Sequence, residues 1–235
     1  MKTLRTIFFP CISLICALSA LAASPGDVAD MAMEGYRLFT RDSLPDDRSK
    51  GYAMMLDAAW EGDAKAANNI GWLMQQGEFV EKDLSGALRW YERAADQGLP
   101  AAALNYVSII FSHPEALAGK PVDTERVANA AMLAGTALTM GRGLHYDYRQ
   151  GEDLLIRAGL LGNEKAAMTI AQQLEMYPDS FSYLPLIEIV RECEAISPPG
   201  NHLFSPDMAQ DSIIDQLLSP SFWYCIVPSG SLSIQ

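Results

Sequence analysis

The chain is predicted to be all-α, an array of stacked helical hairpins, on three observations. Landmark residues recur at fixed offsets: Gly62 and Ala66 return as Gly98 and Ala102, 36 residues on, and Gly98 returns as Gly162, a further 64 on. Gly71, Gly77 and Asp83 return at the same offset of 64 as Gly135, Gly141 and Asp147, and an internal period in the thirties is that of a helical solenoid. Between the landmarks the apolar residues keep helical spacing. Ala87, Trp90, Tyr91, Ala94 and Ala95 fall at i, i+3, i+4, i+7 and i+8, the stripe of an amphipathic helix. Polar residues and glycines bracket these stripes. Asp83 stands where an acceptor can take the free N–H groups of a first turn, and Gly98 where a left-handed residue ends a helix without steric cost. One hairpin leaves its own stripe uncovered, so it must stack on others.

In chain order, residues 1–22 read as a secretory signal: Lys2 and Arg5, an apolar run over 7–18, then Ala20-Leu21-Ala22 as a small-residue cleavage site. Pro10 precedes Cys11 and Ile15 precedes Cys16, so neither cysteine has the small neighbour of a lipoprotein signal. The mature protein is expected to start near Ala23, periplasmic or secreted, with no stable membrane insertion. A first helix covers 27–41 with Val28, Met31, Ala32, Tyr36 and Phe39 on its apolar side. The segment 42–47, with Pro45, breaks it, and 51–60 forms the return helix of an amino-terminal capping repeat. Its Ala58-Ala59-x-x-Gly62 ending matches Ala94-Ala95-x-x-Gly98.

The 66–102 unit follows, then a helix over 101–111. Residues 112–123, with two prolines and a Gly-Lys-Pro turn, read as an insertion between the two helices of one repeat. Further helices are expected over 124–140, 148–160 and 164–176, and Pro178 with Asp179 closes the repeats. Beyond lie a helix over 183–196 with Pro185 near its start, a loop over 197–206 and a short amphipathic helix over 208–218. Residues 222–227, Phe-Trp-Tyr-Cys-Ile-Val, read as an extended apolar run. It either covers the last helices as a carboxy-terminal cap or serves as a partner-binding strand. The division is therefore a signal over 1–22, repeats over 23–178, and capping helices with a tail over 179–235.

The chain carries 17 Lys and Arg against 29 Asp and Glu, a formal charge of −12, and loss of Lys2 and Arg5 with the signal makes it −14. Such a surface disfavours nucleic acid and anionic lipid and steers towards a basic partner.

The 66–102 unit resembles the Sel1-like repeats, relatives of the tetratricopeptide solenoids. Ala66, Ile70, Gly71, Gly77, Val80, Asp83, Ala87, Trp90, Ala94, Ala95, Gly98 and Ala102 fill that family's pattern, with Met74 in the place of its tyrosine and Phe79 where it often has glycine. Gly135, Gly141, Gly143, Asp147, Ala158, Gly162 and Ala166 mark a second, worn unit. The resemblance implies a right-handed α/α solenoid of helical hairpins with a non-repeat carboxy-terminal cap, acting as a protein–protein interaction module. Short exported members serve as immunity proteins against secreted effectors. The leading expectation is an immunity protein or inhibitor binding a basic secreted effector in the periplasm. The alternatives are an envelope hydrolase of the β-lactamase kind, or an envelope-assembly adaptor. The hydrolase-linked relatives carry a cysteine pair per repeat, which the repeats here lack.

Catalytic motifs are not evident. The three histidines, His113, His145 and His202, are scattered with no second ligand at metal spacing. No nucleophile elbow, phosphate-binding loop or dinucleotide fingerprint occurs. No catalytic residue, metal or cofactor is expected. After signal cleavage Cys193 and Cys225 remain, in an oxidising compartment most simply a disulfide, otherwise two buried thiols. Closing that loop of about 33 residues would contribute about 3–4 kcal/mol. The binding face is expected on outward positions of first helices, which line the concave side in related solenoids. These are Asn69, Trp72 and Gln75, then Asn105, Ser108 and Phe111, then Thr169, Gln172 and Glu175. Aromatic anchors among amides suit protein recognition, while Trp72 and Phe111 can equally pack between repeats.

Overall fold

The computed structural model describes residues 24–40, 44–117, 119–181, 184–197, 204–205 and 208–226. The signal expected over 1–22 lies outside the described residues, as does His202. The fold is all-α, with no strand among the described residues. Its helices are α1 (Pro25–Thr40), α2 (Pro45–Trp60), α3 (Ala64–Gln76), α4 (Leu84–Ala95), α5 (Pro100–Ser112), α6 (Thr124–Met140), α7 (Tyr148–Leu160), α8 (Glu164–Met176), α9 (Leu186–Ile196), α10 (Gln210–Leu217) and α11 (Pro220–Ile226). A 3-10 turn at Pro114–Leu117 interrupts the series. Among the described residues no helix is long and apolar enough to cross a membrane.

The chain divides into two compact units, one ending at Asp63 and one starting at Ala64. The first is the α1–α2 hairpin. Pro45, read from the sequence as part of a break, instead opens α2, because proline at the first helical position removes only an N–H that has no partner there. A Cβ added to Gly35 would lie 2.8 Å from the Gly51 carbonyl oxygen, and one on Gly51 would lie 2.5 Å from that of Gly35. The two backbones therefore touch.

The second unit repeats this crossing. In the α6–α7 pair, a Cβ on Gly135 would lie 2.9 Å from the Gly151 oxygen, and the reciprocal distance is also 2.9 Å. In the α3–α4 pair, Gly71 faces the Tyr91 ring and the Ala87 carbonyl. The small pairs Gly35/Gly51, Gly71/Ala87 and Gly135/Gly151 share one spacing of 16 residues. Helix α5 packs against both α4 and α6, and Ser85 Oγ donates to the Ala116 carbonyl, tying the 3-10 turn to α4.

Helix ends follow the expected chemistry. After α2, α4 and α7 the chain closes with one bonding pattern: Gly62 N to Ala59 O with Asp63 N to Ala58 O, Gly98 N to Ala95 O with Leu99 N to Ala94 O, and Gly162 N to Gly159 O with Asn163 N to Ala158 O. The three glycines have φ of 106°, 82° and 97°, the left-handed turn that satisfies a helix's last carbonyls. Asp83, Asp123, Asp147 and Asn163 cap the next helices by accepting from Gly86, Arg126, Gln150 and Ala166 backbone N–H groups.

The carboxy-terminal cap departs from the sequence reading in conformation. Residues 220–226 form the helix α11, not an extended run, and α11 packs on α8. Trp223 is fully buried, its indole N–H donating to the Leu217 carbonyl at 2.7 Å. The absence of a side chain at Gly159 makes the slot, since a Cβ there would lie 2.7 Å from the Trp223 ring. Phe204 stacks on Phe222 at 5.4 Å, and Phe222 meets Trp223 edge-on at 5.3 Å. An apolar run too short to show a period is as compatible with helix as with strand, and here the indole's need for a deep slot with an acceptor is met by the helix.

Candidate functional site

Arg157 organises a groove that two of the predicted binding residues reach. Its side chain is 11% exposed, held by Asp153 one turn back on α7 at 2.7 Å and by Glu192 of α9 at 2.5 Å. Its guanidinium carbon lies 4.5 Å from the centroid of the Phe111 ring on α5. Burial works against the charge, and the hydrogen bonds and attraction of Asp153 and Glu192 more than offset it, so the Arg157 pKa is raised. The guanidinium is thus held in place, its N–H groups on two carboxylates and its carbon over a ring. Above it opens a groove of about 230 Å³, whose polar wall is Ser108, Gln150 and the Arg157 cluster.

Of the nine binding positions predicted, the structure brings two, Ser108 and Phe111, to this groove. Gln75 and Asn105 act as internal struts. Gln75 accepts from the Tyr91 hydroxyl at 2.7 Å, and Asn105 donates to Asn68 at 3.0 Å, joining α5 to α3. Trp72 is 46% exposed and Asn69 half-buried. Thr169, Gln172 and Glu175 are exposed on α8, and none of the three lines the groove. Thr169 turns its hydroxyl back to the Lys165 carbonyl at 2.7 Å.

The expected Cys193–Cys225 disulfide is not formed in the structure. Both are free thiols, Cys193 buried and Cys225 exposed. Because residues 220–226 coil into α11, the buried member of that segment is Trp223, and Cys225 is left outside. Burial pushes the Cys193 thiol up to about 12. His113 sits 3.0 Å from Glu115, and His145 is exposed. Among the described residues no group of three His, Cys, Asp or Glu is placed to hold a metal ion.

The Sel1 repeat family model matches this chain twice, over residues 64–99 and 128–163. These two stretches are similar to Sel1 repeats. The two matches are helices α3–α4 and α6–α7, which share the offset of 64 and the close-packed crossing. The insertion therefore does not divide one Sel1 repeat, as the sequence reading had it. Helix α5 and the 3-10 turn stand between two complete repeats. Over 75 residues the chain is 37% identical to chitin synthase regulatory factor 3 of Schizosaccharomyces pombe. The match takes in 32% of this chain and only 8% of that protein. Among solved structures, a Sel1 repeat protein from Oxalobacter formigenes aligns at 19% identity and a TM-score of 0.36, with 77% of this chain and 79% of that one covered. A protective antigen of uropathogenic Escherichia coli strains with an SLR fold aligns at 17% identity and a TM-score of 0.38, covering 89% of this chain and 49% of that one. The molecule is an all-α solenoid of helical repeats, and Sel1 repeats are protein-interaction modules.

In the Sel1 register Arg157 is the equivalent of Arg93, 64 residues earlier, whose guanidinium lies 5.9 Å from the Trp90 ring. That shared arginine was a readable signal for the groove. Its partners were not, since Phe111 and Glu192 come from helices outside either repeat match.

Proposed function

We propose that this chain is an exported, non-catalytic protein-binding module that acts as an immunity protein or inhibitor of a secreted effector in the periplasm. The observation that carries the reading is the Arg157–Phe111 stack at the base of an open groove. Aromatic and arginine side chains already fixed in place lose little entropy on binding, and such residues dominate protein–protein contacts. The acidic balance of the chain, −12 overall, favours association with a basic effector. The signal read over 1–22 supports export.

The test is affinity capture by the protein from an envelope extract of its own source, with Ser108→Arg as the matched bait. Ser108 is exposed at the groove, so this change fills the groove without disturbing the core. One stoichiometric, toxic partner that is retained by the native bait, lost by the variant and neutralised on co-expression would support the reading. Retention of nothing, or penicilloate formation by the purified chain, would refute it.

A further inference from the structure

A second groove, of about 460 Å³, lies between α4, α5 and α6. It opens on another side of α5, because Tyr106 stands two positions from Ser108, about 160° around the helix. Four carboxylates line it, Glu92, Asp96, Asp123 and Glu125, with one cation, Arg126. That cation is already engaged with Glu92 and, at 3.5 Å, with Asp96. Asp123 caps α6 through one oxygen only, accepting from the Arg126 backbone N–H. The groove keeps a surplus of negative charge.

Tyr106 supplies an independent observation. It is 7% exposed and lines this groove, yet its hydroxyl has no hydrogen-bond partner among the described residues. Burial, with the charges of Asp123 and Asp96 on the same groove, pushes its ionisation up to about 12. Packing does not require it. The equivalent positions 36 residues before and 64 after are Ile70 and Ile170, both fully buried. The hydroxyl is therefore met by solvent at the groove rather than by the protein, and a donor entering the groove would take the place of that water.

We propose that this groove receives an arginine side chain presented by a protein partner. The inference rests on the reading of the chain as a protein-binding module, but uses a different site. Arg126 shows that a guanidinium fits between the groove's carboxylates. A second guanidinium, with five donors in a plane, can reach the Tyr106 oxygen and the adjacent carboxylates together.

The test uses the full chain, labelled with nitrogen-15, titrated at low salt with acetyl-Gly-Arg-Gly-amide, with the lysine and glutamine peptides as controls. Saturating amide shifts are expected at Gly98, Arg126 and Asn129, with the arginine peptide binding about tenfold more tightly than the glutamine one. Tyr106→Phe, which removes only the oxygen, should weaken binding about three- to tenfold. Asp123→Asn, which can still cap α6, should weaken it similarly, and Arg126→Gln should tighten it. Equal binding of all three peptides, shifts spread over the surface without saturation, or an unchanged affinity in Tyr106→Phe would overturn the proposal. Lysine binding as tightly as arginine would overturn the guanidinium preference. None of these failures bears on capture of a partner through the Ser108 groove.

Discussion

Arg157 sits over the Phe111 ring, its guanidinium carbon 4.5 Å from the ring centroid. This contact joins α5 to α7, and Glu192 extends it to α9. Truncating Arg157 leaves Asp153 and Glu192 without their shared cation and Phe111 without its cover. Arg157→Ala is therefore expected to destabilise the protein by about 3 kcal/mol, and Arg157→Lys by about 1–2, since an ammonium cannot reproduce the planar fork. Urea unfolding of the three proteins decides it; a loss below about 0.5 kcal/mol for the alanine variant would remove the stack from the fold's supports.

Glu152 is 1% exposed, with Oε1 accepting from Gln173 and Oε2 without a partner. Its Sel1 equivalent, 64 residues earlier, is the buried Leu88. Glu152→Leu removes an unsatisfied buried oxygen and exposes Gln173 and Tyr148 only to water. We expect a stabilisation of about 1 kcal/mol, read as a rise in the thermal midpoint. A fall would mean that Glu152 is held by interactions beyond Gln173 and Tyr148.

The two cysteines outside the predicted signal should react differently. With Cys193 buried and its pKa near 12, iodoacetamide at neutral pH should label Cys225 in the native protein, and Cys193 only after unfolding. Peptide mapping by mass reads both sites. Protection of both until a reductant is added would restore the disulfide.

Tyr91 and Tyr106 are buried and their pKa values raised, Tyr106 to about 12 and Tyr91 further. In the unfolded chain both ionise near 10. A raised folded value means that their contribution is complete below about pH 10 and is lost as pH climbs towards the folded values. Stability should therefore fall between about pH 10 and 12, and the slope should flatten in Tyr106→Phe. Guanidinium melts across that range check it; an unaltered slope in the variant would refute the assignment to Tyr106.

Much of this fold could be read in advance because its determinants are local. A left-handed glycine at Gly62, Gly98 and Gly162, or a capping Asp83 and Asp147, answers a need of the nearest turn of chain. The bounds of α6, α7 and α8 matched the reading for that reason. Pro45 was misread because proline both ends and opens helices, and only the path of the following chain distinguishes them. The site was less legible. Ser108 and Phe111 reached the groove, whereas Gln75 and Asn105 were claimed by Tyr91 and Asn68 on the neighbouring helices.

By itself the sequence determined that this is an all-α chain of repeated hairpins with glycine-closed ends and an acidic surface, since those properties follow from residue spacing and counted charge. Only the tertiary structure decided that α11 is a helix, with Trp223 seated over Gly159 and Cys225 outside. It alone joined Arg157 to Phe111 and Glu192, and brought Tyr106 to one groove with carboxylates of α4 and α6. Each of these depends on which distant residue fills the space beside a side chain, and that is settled by packing between helices rather than by spacing within one.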